Sequence, residues 1–270
     1  MPQLTTQTLK TWQLRPLDGQ TRLALPPPDA VHLWLLSLDQ PLRPLAGLTV
    51  TLDPAEHARA ARFHFAHDRL RFIAARGQLR AVLAAYTGMA PGHIAFAFAD
   101  AGKPRLAGMS ERVQFNLSHC GGWALLAVTA GLPVGADIEA LRALPEAAEV
   151  ARAHFSPAEH RAWLQLPQEQ RLDGFFACWT RKEAVVKALG GGLSIPLDSF
   201  EVSVDPAAQA YLVSLEGAPA GDWTLWGEKI FARHWAAVAV RSPGATFRFL
   251  RANDPDTLQA APRYEPPDEC

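Results

Sequence analysis

The 270-residue sequence mixes strand and helix patterns in the manner of an α+β fold and hints at an internal duplication, and three observations carry that reading. Residues 134–139 alternate Val134, Ala136 and Ile138 against Gly135, Asp137 and Glu139, the two-residue period of a strand. Residues 175–189 hold neither Gly nor Pro, are rich in helix formers and stop at Gly190-Gly-Gly192, the pattern of a helix with a glycine cap. Finally, Ala75 to Ala85 aligns with Cys178 to Ala188, placing Ala81-Val82 over Ala184-Val185, and Arg62-Phe-His-Phe65 aligns with Arg152-Ala-His-Phe155 upstream.

In chain order, residues 1–30, with Pro26-Pro-Pro28, are expected to form an extended lead-in. Residues 31–132 make the first half, in which Phe72, Leu79, Leu83 and Tyr86 form an apolar helical stripe with Arg69, Arg76 and Arg80 along one edge as a solvated border. Gly131-Leu-Pro133 marks the boundary, 133–250 the second half, and 251–270, with Pro255, Pro262, Pro266 and Pro267, a loosely ordered tail.

With 49% hydrophobic residues and a formal net charge of −1, the chain can bury a full core and lacks the basic excess of a nucleic-acid binder. It has no apolar run of membrane-spanning length, and Met1-Pro-Gln-Leu opens without the basic-then-apolar pattern of a signal peptide, so the cytoplasm is expected. Cys120, Cys178 and Cys270 have no metal-type spacing, and the nine histidines form no ligand set.

The chemistry concentrates in three stretches. On a strand, Asp137 and Glu139 share a face while Ile138 turns into the core, and two adjacent carboxylates suit a Mg²⁺ that completes its octahedron with water and phosphate; a solvated acidic rim is the alternative. On the helix, Trp179, Glu183 and Lys187 are four apart and stack along one face. An ordinary surface pair has that spacing too. Yet only five lysines (Lys10, Lys103, Lys182, Lys187, Lys229) stand against twenty-one arginines, which marks Lys187 as a compact point charge kept where arginine is the habit. The third stretch is Gly102-Lys103-Pro104 followed by Asn116, Ser118 and His119 at a strand-to-turn transition before Gly121-Gly122, where donors could meet an anion; singly, each reads equally as a loop cation, a turn former or a satisfied histidine.

Taken in order, Gly102-Lys-Pro104, Phe115-Asn-Leu-Ser-His119, Gly135-Ala-Asp-Ile-Glu139, Phe155-Ser-Pro-Ala-Glu159 and Trp179 through Leu193 resemble the motif series of the 4′-phosphopantetheinyl transferases, of the larger, surfactin-synthetase-activating type. The resemblance runs from about Arg59 to Phe200, with small departures at Ala136 and Cys120. It implies a pseudo-dimer of two α+β halves, active as a monomer, with the coenzyme site between them. The implied reaction moves 4′-phosphopantetheine from coenzyme A to a serine of an apo acyl or peptidyl carrier protein, releasing adenosine 3′,5′-bisphosphate. It also implies that Asp137, Glu139 and Glu183 hold Mg²⁺, with Mn²⁺ able to substitute, and that Lys187 stabilises the departing oxygen, with Glu183, Glu159 or water taking the serine proton. Lys103, Asn116, Ser118 and His119 would hold coenzyme A, Trp179 would contribute to its site, and Arg62, Arg71 and Arg76 would hold its 3′-phosphate. The rivals are a metal-dependent phosphodiesterase or pyrophosphatase, which would hydrolyse coenzyme A without a carrier, and a non-catalytic coenzyme A binder; neither nucleic acid nor membrane is expected as a partner.

Overall fold

A computed structural model of the chain describes residues 13–14, 21–40, 42–99 and 101–252. The first half runs β2 (Ala30–Ser37), the short helices α1 (Leu42–Thr49) and α2 (Pro54–Ala61), the long helix α3 (Ala66–Thr87), the small hairpin β3–β4 (Phe96–Phe98, Pro104–Leu106) and the hairpin β5–β6 (Gln114–Cys120, Trp123–Thr129). The second repeats that order: β7 (Val134–Ala140), α4 (Ala147–His154), α5 (Pro157–Gln165), long helix α6 (Arg171–Leu189), β8–β9 (Phe200–Val202, Leu212–Leu215) and β10–β11 (Thr224–Ile230, His234–Val240). Strand order repeats as well, β2-β6-β5 in one sheet and β7-β11-β10 in the other.

The layers run α3, first sheet, second sheet, α6. Alternation along β2 sends Trp34 and Leu36 against α3, and Val31, Leu33 and Leu35 against the second sheet's Ala136, Ile138, Ala236 and Val238. The second sheet's other face, through Trp235, Ala237 and Ala239, packs on Phe175, Phe176 and Val185 of α6. Both sheets are covered on both faces, which is why β2 is buried along its whole length.

The structure shifts the internal alignment by one residue. Both long helices end at a left-handed glycine, Gly88 at φ +75° and Gly190 at φ +76°, and superposing these caps sets Arg80 over Lys182. The buried ion pairs agree with that register. Arg80 meets Glu56, the third residue of α2's capping box, and Lys182 meets Glu159, the third residue of α5's. The upstream match fails, because Arg62–Phe65 leads into α3 whereas Arg152–Phe155 closes α4. Arg80 is fully buried, bound to Glu56, Asp53 and the Ile94 carbonyl, so the expected solvated border does not extend to it.

Two further strands modify the expected organisation. After the second half, β12 (Thr246–Arg251) crosses back to pair parallel with β2, and β1 (Gln13–Leu14) pairs beyond it, so the sheets do not divide at residue 250 and the lead-in supplies an edge strand. The expected tail, past residue 252, and Cys270 lie outside the described residues.

Candidate active site

Strand β7 lies directly against α6. A Cβ placed on Gly135 would stand 2.0 Å from the Ala184 carbonyl oxygen and 2.3 Å from the Ala188 nitrogen, so only glycine lets the strand lie directly on the helix backbone. Two residues further on, Asp137 faces the same helix, buried to 2% exposure. Its Oδ1 accepts hydrogen bonds from Lys187 Nζ at 2.5 Å and from Ser118 Oγ at 3.0 Å, and Ser118 Oγ lies 3.3 Å from the same ammonium. Ser118 belongs to β5, the edge of the first sheet, so the contact ties both halves at one carboxylate. Asn116, two residues earlier, accepts the Ala136 amide on its Oδ1 at 2.8 Å and holds the two strand edges in register.

Around this pair the electrostatics are those of crowded acids. Burial raises the pKa of Glu139 to about 7, and the Asp137 and Glu183 charges push the same way against Arg142 and Lys187. Glu183 is raised likewise, by burial and then by Asp137, with Lys187 and His154 opposing. Arg142 and His154 thus belong to the site's charge balance, although the sequence reading did not single them out. Arg142 could have been found as the first cation after the Asp137–Glu139 strand. His119 remains solvent-exposed, yet enough protein surrounds its ring to lower its pKa, an effect that Lys187 and Arg59 reinforce.

Whether these residues fit a divalent cation turns on one atom. Asp137 Oδ2 is buried with no hydrogen-bond partner, although Oδ1 of the same carboxylate has two. An oxygen so placed, beside two carboxyls that repel it, suits a hard cation. Among the described residues no three of His, Cys, Asp and Glu are assembled to hold a metal by themselves.

Other expected site residues prove to be engaged elsewhere. Glu159 is 2% exposed: its Oε1 accepts Lys182 Nζ and the Val202 amide, each at 2.7 Å, and its Oε2 accepts the Ser156 amide at 2.7 Å. Both its oxygens are thus committed inside the core, where it caps α5 and pairs with Lys182. Arg76 binds Glu56 at 2.6 Å and lies over the Phe96 ring at 4.5 Å, and Arg71 makes a two-pronged pair with Asp39 at 2.8 and 3.2 Å. A 3′-phosphate could reach only the guanidinium nitrogens that these carboxylates leave open, whereas Arg62 is exposed at the end of α2. Trp179 stacks on Phe175 at 5.9 Å and meets His154 edge-on, joining the aromatic core of the second half. Lys103 donates to the main-chain carbonyls of Val134 at 2.8 Å and Lys187 at 2.6 Å.

Only one half carries the acids. With the helix caps superposed, Glu183 and Lys187 correspond to Ala81 and Ala85 of α3. Asp137, opposite the middle residue of β11, corresponds to Trp34, opposite the middle residue of β6.

The chain belongs to the 4′-phosphopantetheinyl transferase superfamily: the superfamily's model matches residues 133–239, and that of the 4′-phosphopantetheinyl transferase N-terminal region matches 42–131. Among individual relatives, it is 41% identical over 199 residues to the 4′-phosphopantetheinyl transferase HetI of Nostoc sp., covering 73% of this chain and 81% of that protein. A putative 4′-phosphopantetheinyl transferase of Synechocystis sp. is 30% identical, with 80% and 87% covered, and the 4′-phosphopantetheinyl transferase Sfp of Bacillus subtilis 31%, with 61% and 70% covered.

Proposed function

We propose that the chain transfers 4′-phosphopantetheine from coenzyme A to a serine hydroxyl of an apo acyl or peptidyl carrier protein, with Asp137, Glu139 and Glu183 holding Mg²⁺ and adenosine 3′,5′-bisphosphate leaving. The observation that carries this reading is the unpartnered, buried Oδ2 of Asp137, whose Oδ1 is paired with Lys187 and whose charge reaches Glu139 and Glu183. Bound there, the cation would supply charge neutralisation and a template for the pyrophosphate. Lys187, held against Asp137 and Ser118, presents a fixed ammonium for the oxygen that departs from the transferred phosphorus. Glu183, whose carboxyl is raised by burial and by Asp137, is committed to the cation in this reading, so a water takes the serine proton. His119 and Arg62, both exposed, are the groups best placed to meet phosphates of an incoming coenzyme.

Because both halves lie in one chain, the reading further takes the protein as a cytoplasmic monomer; among the described residues no helix is long and apolar enough to cross a membrane. The test is to incubate the protein with coenzyme A, Mg²⁺ and several apo carriers and to weigh the carriers. A gain of one phosphopantetheine, abolished by chelator, supports the reading. Loss of coenzyme A with no carrier required would favour the pyrophosphatase alternative instead.

A further inference from the structure

Lys103 sits in the turn of the β3–β4 hairpin, in the first half, where its carbonyl accepts the Ala99 amide, but its ammonium donates to carbonyls of the second half. The carbonyl of Lys187 lies in the last turn of α6, where helix carbonyls have no intrahelical partner, and Lys103 Nζ supplies one at 2.6 Å. A cation there also opposes the helix's negative end. Its second acceptor, the Val134 carbonyl, opens the strand that carries Asp137 three residues later. One ammonium thus joins the start of β7 to the end of α6 across the Gly135 contact, whose projected Cβ lies 2.9 Å from the Lys187 carbonyl carbon. The rest of the turn packs on the same corner: a Cβ on Gly192, just past α6, would touch Ala101 at 3.0 Å. Among the described residues Lys103 makes no ion pair, and its surroundings are dry enough to lower its pKa to about 8.

We propose that Lys103 is a positioning residue for the transfer reaction, clamping the β7–α6 junction so that the main chain of Lys187 is fixed and its ammonium stays on Asp137, rather than a ligand of the coenzyme phosphates. The inference rests on the transferase reading above. Helix ends fray, and Lys187 occupies the last turn. A clamp on its own carbonyl is the shortest route to holding it still.

The two roles separate in kinetics. Lys103→Met keeps the stem and removes the donors; the clamp predicts that kcat falls about tenfold or more while KM for coenzyme A stays within about threefold. In the Lys103→Met/Lys187→Met double variant the two losses should not multiply, because Lys103 acts through Lys187. A rise in KM for coenzyme A with kcat kept, a multiplicative double variant or no kinetic change at all would each overturn the proposal. Should Lys103→Met not fold, Lys103→Gln, which keeps a donor on a shorter stem, should show the same kcat fall in milder form with KM kept, and a rise in KM alone would again overturn the proposal. A readout independent of turnover is amide hydrogen exchange across residues 186–190, expected to quicken about tenfold in Lys103→Met with the rest of α6 unchanged; unchanged exchange there refutes the clamp. Wild-type transfer in the same assay tests the transferase reading by itself, so the two can fail separately.

Discussion

Gly135→Ala is the most direct probe of how the site is built. The added Cβ would start 2.0 Å from one main-chain atom of α6 and 2.3 Å from another, and neither can swing aside as a side-chain tip could. Restoring ordinary contact near 3.4 Å requires β7 and α6 to separate by about 1.4 Å. Overpacking of this kind costs about 1–3 kcal/mol, and the upper end applies because both walls are backbone. For a chain of this size about 3 kcal/mol lowers Tm by roughly 6–12 °C. The same displacement exceeds the slack in the 2.5 Å contact between Lys187 and Asp137, and a misplacement of about 1 Å can cost about 10²-fold in rate. Thermal unfolding followed by circular dichroism, with carrier modification followed by mass spectrometry, reads both effects. Gly47→Ala is the matched control: the residue is exposed inside α1 with nothing within 4 Å, so alanine should be neutral or stabilising by up to about 1 kcal/mol. A Gly135→Ala protein with wild-type Tm and turnover would refute the argument that strand-on-helix contact sets the acid-lysine pair.

Asp137→Asn should leave Lys187 without its counter-charge and lower transfer by at least about 10²-fold, while the variant stays folded; wild-type turnover at matched Mg²⁺ defeats the assignment. Lys182→Ala should destabilise by about 3–5 kcal/mol, since it strands the buried Glu159 carboxylate, as chemical denaturation would measure; a loss below 1 kcal/mol contradicts the buried pair. Glu139 carries a pH signature. Its folded-state pKa near 7 exceeds the ordinary 4.5, so the stability it contributes is full below about pH 4.5 and is lost as pH rises through 7. Glu139→Gln should accordingly raise the metal-free Tm at pH 8 and flatten its fall between pH 5 and 8; an unaltered profile disproves the raised carboxyl. Phe231 and Ala232 both sit at positive φ, +53° and +56°, and Ala232→Gly should relieve about 1 kcal/mol, seen as a Tm rise of roughly 2–4 °C.

Local periodicity determined much of this protein. The alternation around Asp137 and Glu139 fixed their shared face, the four-residue spacing of Glu183 and Lys187 fixed theirs, and the glycines after Leu189 fixed where the helix stops, because strand and helix periods and caps are properties of neighbouring residues. The ordered motifs further determined the family. What a charged residue meets across the chain is not local, and there only the tertiary structure decided. Arg80 and Arg76 lie on a polar helix edge in sequence, yet they face the capping box of α2 and are buried or paired by it. Glu159 stands in a motif with the look of an active-site acid, yet Lys182, twenty-three residues on, encloses it in the core. Lys103 has the sequence setting of a phosphate ligand, but the packing of the two halves brings two backbone carbonyls to its ammonium. Burial and partner choice arise from which faces the sheets and helices press together, and a one-dimensional pattern carries the faces without saying what each will meet.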